Sequence, residues 1–266
     1  MSKKPLTRDE QFLAKAAGDD VPMPKPLTRV QEFLERIVER LSGSVTEETL
    51  SNAIAQLSRK AIQFRHGKGT FTATATGTNV VWQYGGQQVQ NNNCTFDVKS
   101  DNGLICMDFD SITSLSIQND AANKMDLSDL GGKITNTLNL YRCTNITGDL
   151  SDLGGKITNT LNLYNCTNIT GDLSDLDGKI ASMLNLSGCS SITGVYSGTK
   201  YPKTFDVSTT AITSADMDAN LINFAESGVR SGRFAADGMK RTAASDDAVA
   251  TLVANGWTVS GLTKES

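Results

Sequence analysis

Nucleophilic or acid–base chemistry in this chain of 266 residues would have to start from its one histidine, His66, or from one of five cysteines. His66 stands in the connection Arg65-His66-Gly67-Lys68, and no nucleophile or carboxylate is placed near it by sequence. A Ser-His-Asp or Cys-His site needs such a partner, and a zinc site needs closely spaced His and Cys ligands, so neither is expected. Cys143, Cys166 and Cys189 recur at one interval and read as packed thiols of a repeated core before they read as metal ligands. Gly131-Gly132 and Gly154-Gly155 belong to the same repeat and read as turns, not as a loop that cradles phosphate. The carboxylates are the remaining candidates. Asp126, Asp149 and Asp172 recur every turn, as do Asp129, Asp152 and Asp175. Stacked turns lie about 5 Å apart, and like charges that close repel by about 1 kcal/mol in a water-like medium. Either calcium bridges them, or Lys133, Lys156 and Lys179 balance them while each Asp caps a short helical turn. Calcium needs more oxygen ligands than this spacing supplies, which favours the cap. The expectation is a protein with no metal, no cofactor and no enzymatic activity.

A repeat positions these residues. Residues 127–149 read LSDLGGKITNTLNLYRCTNITGD, and 150–172 repeat them with Asn165 in place of Arg142. A third copy, LSDLDGKIASMLNLSGCSSITGV, opens at Leu173, so the period is 150 − 127 = 23 residues. Leu127, Leu130, Leu138, Leu140 and Ile146, with their equivalents one and two turns on, form apolar columns. One such turn cannot bury them alone, so neighbouring turns must stack and share a core. Thr137-Leu138-Asn139-Leu140-Tyr141 alternates with period 2, as a half-buried strand does. The strands should stack into a parallel sheet with Thr137, Asn139, Tyr141, Thr160, Asn162, Tyr164 and Asn185 on its open face, a candidate ligand-binding surface. Leu161 is expected in the shared core. Asn162 is expected on the surface, where truncation to Ala would change stability by less than about 0.5 kcal/mol.

The pattern L-x-x-L-x7-L-x-L-x-x-C-x-x-I-x-G resembles a leucine-rich repeat, with Cys143, Cys166 and Cys189 at the family's Asn/Cys position. Its long spacer after Leu130 is similar to that of the BspA-type bacterial surface proteins. The resemblance implies a capped solenoid and leaves function open.

The first forty residues carry a different duplication, KPLTRDEQFLAK from Lys4 and KPLTRVQEFLER from Lys25. Thr7 and Thr28 can cap helices, and Phe12, Leu13, Val30, Phe33, Leu34, Ile37 and Leu41 fall at helical spacing. Leu50, Ile54, Leu57 and Ala61 extend the stripe into a third helix over 46–62, the seam of a short oligomer or an intramolecular contact. The P-L-T-R-x-x-x-F-L segments resemble the N-terminal segments of virion proteins from phages of gut bacteria. That resemblance implies attachment to other virion proteins ahead of a fibre or binding module.

From Gly67 the pattern turns to strands, with Phe71 to Thr76, Asn79 to Tyr84, Cys94 to Val98 and Leu104 to Phe109 rich in β-branched and aromatic residues. Leu104, Met107, Leu115 and Ile117 precede repeat leucines by one period, so 104–126 is expected to form a degenerate first turn. Phe205 to Val207, Arg233 to Ala235 and Trp257 to Val259 read as three more strands of the same sheet, separated by helical patterns over Ser214 to Glu226 and from Ser245 to Gly256. The expected fold is α+β: N-terminal helices followed by a capped leucine-rich-repeat solenoid with a parallel β-sheet face. The expected domains are 1–66 for attachment or oligomerisation, 67–103 as a β-rich cap, and 104–266 as the solenoid, with its C-terminal cap over 205–260.

A net charge of −4 and a pI near 5.1 exclude the basic footprint of a nucleic-acid protein. No apolar run reaches membrane-spanning length, and MSKKPLTRDEQ leads into no apolar signal region. Together these readings point to a non-enzymatic phage virion protein, a tail or head fibre or baseplate accessory, homo-oligomeric and presenting its sheet face to a host surface glycan or protein. A bacterial surface adhesin or effector, or a purely structural decoration protein, are the alternatives.

Overall fold

The computed structural model describes residues 60–265 apart from Asp177. The described residues open on seven strands: β1 (Lys60–His66), β2 (Gly69–Thr78), β3 (Val81–Tyr84), β4 (Gln87–Val89), β5 (Asn93–Val98), β6 (Gly103–Phe109) and β7 (Ser111–Ser116). Side chains of β2, β5 and β6 alternate between buried and more exposed positions, the period-2 signature of a sheet with one buried face. β1, β6, β3 and β4 form an antiparallel sheet in that order. β2, flanked by β5 and β7, begins a second sheet. The two meet through aromatic rings: Phe71 of β2 lies 5.6 Å from Phe64 of β1 and 6.1 Å from Trp82 of β3, all fully buried.

Each repeat then contributes one short strand to the second sheet and one to a smaller sheet on the other side of the turn. These are β8 (Thr137–Asn139) and β9 (Thr147–Asp149), β10 (Thr160–Asn162) and β11 (Asn168–Asp172), then β12 (Met183–Asn185) and β13 (Ser191–Thr193). β14 (Thr204–Asp206), α1 (Ser214–Glu226), β15 (Arg233–Arg241), α2 (Asp246–Ala254) and β16 (Thr258–Lys264) complete the chain. The large sheet has nine strands in the order β16-β15-β14-β12-β10-β8-β7-β2-β5, parallel from β7 to β16 and antiparallel around β2. Register follows the sequence period through Leu115, Leu138, Leu161 and Leu184, and Phe205 continues the row after a shorter step, each fully buried. The thiols tie turn to turn. Cys143 Sγ donates to Ile117 O at 3.4 Å, Cys166 Sγ to Leu140 O at 3.0 Å and Cys189 Sγ to Leu163 O at 3.0 Å. Burial pushes the Cys143 and Cys189 thiols up to about 12 and raises that of Cys166 as well. They stay protonated donors, with no thiolate for chemistry.

The array ends on an aromatic cluster. Phe224 of α1 meets Tyr201, Phe205, Phe234 and Trp257 at centroid distances of 4.6 to 5.6 Å. Trp257 is buried, and its indole donates to Val229 O at 2.8 Å, so it closes the core and offers no platform for a ligand.

The α+β expectation is overturned. Among the described residues strand accounts for 41% and helix, 3-10 turns included, for 18%, the sheets are mixed, and two α-helices occur. The physical reason is the length of the repeat. A turn of 23 residues (150 − 127) that already carries two strands leaves room between them for only a 3-10 turn such as Leu150–Leu153. The expected helix over 46–62 also gives way at its end, because Lys60–His66 is strand β1, with Ile62 and Phe64 inward and Ala61, Gln63 and Arg65 outward. The proposed N-terminal helices otherwise lie outside the described residues. Leu104 does not begin a repeat turn: it is 41% exposed, opposite Arg65 in the antiparallel sheet. The stack of turns starts at β7, where Leu115 pairs with Leu138.

The aspartate columns are caps. Asp149 Oδ1 accepts from Ser151 N at 3.0 Å and Ser151 Oγ at 2.8 Å, its Oδ2 accepts from Thr170 Oγ1 of the next turn at 2.8 Å, and Asp152 accepts from Asp149 N at 2.9 Å. Asp126 and Asp129 make the same reciprocal box, with Thr147 as the donor from the next turn. Hydrogen bonds from the Ser128 and Thr147 hydroxyls hold the Asp126 carboxyl below its ordinary 3.8, and those from Ser151 and Thr170 do the same for Asp149. A carboxyl lowered by folding stabilises the protein above its unfolded value, and that stabilisation is lost as pH falls through the lower folded value. Melting temperature should therefore hold steady above about pH 5 and drop once pH falls below 3.8. Asp126→Asn/Asp149→Asn, which keeps a cap oxygen but cannot titrate, should lose less across that window. Parallel pH profiles of the two proteins in thermal melts would contradict this assignment.

Candidate functional site

The seven predicted face residues come together on the open side of the nine-stranded sheet. Thr137 lies beside Thr160, and Asn139, Asn162 and Asn185 stand in a row. Tyr141 and Tyr164, two residues beyond β8 and β10, stack at 4.9 Å with their planes 12° apart. One-turn spacing forces identical rings onto each other at about this distance, so nothing can insert between them and only their outer faces and edges meet solvent. All seven are half-buried.

The asparagines are anchored. Asn139 Oδ1 accepts from Tyr141 N at 3.2 Å, Asn162 Oδ1 from Tyr164 N at 3.2 Å and Asn185 Oδ1 from Ser187 N at 3.1 Å. A backbone N–H can be met only by the oxygen of the amide, which fixes which end of each amide is Oδ1 and leaves Nδ2 as a donor. At the next turn Asp206 takes the same role, accepting from Ser208 N at 3.2 Å, while its second oxygen pairs with Arg233 at 3.1 Å.

Sequence reasoning passed over Arg142 as a site residue. It occupies the position just beyond the tyrosine where the backbone turns left-handed, at φ 57°, as do Asn119, Asn165, Gly188 and Thr209 one or more turns away. Its guanidinium carbon lies 5.2 Å from the Tyr141 ring centroid and 5.7 Å from that of Tyr164, within cation–π range. The signal was available, since Arg142 against Asn165 is the single difference between the first two copies.

His66 has a partner that sequence spacing could not reveal. Its Nε2 lies 3.0 Å from both oxygens of Asp120, and its Nδ1 faces Gly67 O at 2.5 Å. The ring has no solvent exposure, and Asp120 also accepts from the backbone N–H groups of Ala122 and Asn123. Both ring nitrogens are engaged within the buried core, so the pair fastens β1 to the loop ahead of the first repeat. The expected attachment residues Phe12, Leu13, Val30, Phe33, Leu34, Ile37, Leu41, Leu50, Ile54 and Leu57 lie outside the described residues.

No protein-family model, curated protein or solved structure matches the chain. The likeness to leucine-rich repeats thus rests on the spacing of the repeat itself.

Proposed function

We propose that the protein is a non-enzymatic attachment component of a phage particle whose open sheet face binds a glycan of the host surface. The observation that carries this reading is the register of the face: amides, hydroxyls and aromatic rings recur at one-turn intervals on a surface held rigid by the leucine core. A saccharide has apolar ring faces for stacking and hydroxyls for hydrogen bonds, and a polymer repeats both, so weak contacts add. The virion setting is supported by the resemblance of the doubled N-terminal segment, which would join the module to other virion proteins.

The test is Tyr141→Ala/Tyr164→Ala on a glycan array and in an adsorption assay on host cells. Loss of the stacked pair should weaken polysaccharide binding by about tenfold or more while the fold survives, since such a pair is worth only about 0.5–1.5 kcal/mol. No glycan bound by the intact protein, together with unchanged adsorption by the double variant, would move the function off this face.

A further inference from the structure

We infer that the ligand of this face is an acidic polysaccharide, one bearing uronate or comparable carboxylate groups, a reading that rests on glycan binding by the same face. The amide column decides the sign of the ligand. With Oδ1 of Asn139, Asn162 and Asn185 committed to backbone N–H groups, each amide has its Nδ2 left, a group with two donors and no acceptor. No hydrogen bond to another described residue consumes those donors. The backbone itself does not demand an amide here. Asp206 caps the equivalent N–H just as well, and there Arg233 neutralises the second oxygen. Nor does repulsion between stacked carboxylates forbid Asp, because this chain stacks Asp126, Asp149 and Asp172 one turn apart as caps. Asn in place of Asp at three successive turns keeps negative charge off the face and presents donors in its place.

Arg142 adds the positive charge. A left-handed backbone suits Asn or Gly and disfavours a long side chain such as Arg, yet φ is 57° at Arg142 as at Asn165. The unfavourable choice places a guanidinium beside the stacked Tyr141 and Tyr164 rings, at 5.2 and 5.7 Å, within one turn of the amide row. A guanidinium fork flanked by amide donors matches a planar carboxylate. The hydroxyls of a sugar can also accept these donors, but only an anion uses the charge.

The experiment compares the full-length protein with Arg142→Gln and with Asn139→Asp/Asn162→Asp, measuring retention on polygalacturonate, alginate and neutral dextran by affinity electrophoresis at low and high salt. Both acidic polymers should retard the protein more than dextran does, and added salt should reduce that retardation. Arg142→Gln should weaken it by about fivefold to tenfold, and the double Asp variant, which preserves the backbone caps, by at least as much. Thermal melts confirm that each variant is folded. Equal retardation by dextran, unaffected by Arg142→Gln, would overturn the acidic ligand while leaving glycan binding in place. No retardation by any polymer, with Tyr141→Ala/Tyr164→Ala adsorbing normally to host cells, would overturn both.

Discussion

Gly171→Ala should destabilise the protein by about 2–6 kcal/mol, combining backbone strain of about 1–3 kcal/mol with overpacking of similar size. Gly171 has φ 125°, and a Cβ built on it would lie 2.7 Å from the backbone nitrogen of Leu150 and 2.8 Å from the Leu150 Cβ. The obstacle is the backbone of the preceding turn, which cannot swing aside as the tip of a side chain can. Relief would require the two turns to move apart. That would break the hydrogen bond from Thr170 to Asp149 and loosen the buried Leu150 and Leu173 between the turns. Gly154→Ala is the control: φ is 57° there, but nothing lies within 4 Å of the new methyl. It should cost only the left-handed penalty, about 1–2 kcal/mol. Urea unfolding midpoints that rank Gly154→Ala as the more harmful change would show that the turns are not in the close contact described.

The sheet phase was legible in the sequence because it is a local property. Leu138, Leu161 and Leu184 alternate with polar neighbours, and the 23-residue period (150 − 127) fixes which residues share a column. The same holds for the caps, since Asp149-x-x-Asp152 around a short turn carries its own hydrogen-bonding logic. What stayed hidden depends on contacts between distant segments. His66 and Asp120 are 54 positions apart and meet only because β1 returns to the loop before the first repeat. Leu104 fell on the repeat phase by spacing alone, and pairing with β1 took it into the other sheet. The helical stripe ending at Ala61 failed for a related reason. Ala61 to His66 can satisfy a helical or a strand pattern, and the available edge of β6 decides for the strand. At the candidate face the columns were readable, but the anchoring of each asparagine was not. It needs the chain to turn two residues later, which a pattern of polarity does not show.

That anchoring changes what Leu161→Ala and Asn162→Ala should do. Leu161 is fully buried, flanked in register by Leu138 and Leu184, and its truncation leaves a cavity that neighbouring turns cannot collapse into without shifting the whole stack. The expected loss is about 2–5 kcal/mol. Asn162 was expected to be nearly neutral as a surface residue. Its Oδ1, however, is the partner of Tyr164 N–H at 3.2 Å, and removing that acceptor should cost about 0.5–1.5 kcal/mol. Asn162→Asp keeps the acceptor and should recover most of the difference near neutral pH. The three variants separate the explanations in one set of denaturant titrations. If Asn162→Ala proves as damaging as Leu161→Ala, the inward and outward faces are exchanged, because a slip of one residue swaps every side chain of a strand between faces. If Asn162→Asp is no better than Asn162→Ala, the oxygen is not the group that matters. The asparagine column would then owe its place to something other than capping the turn.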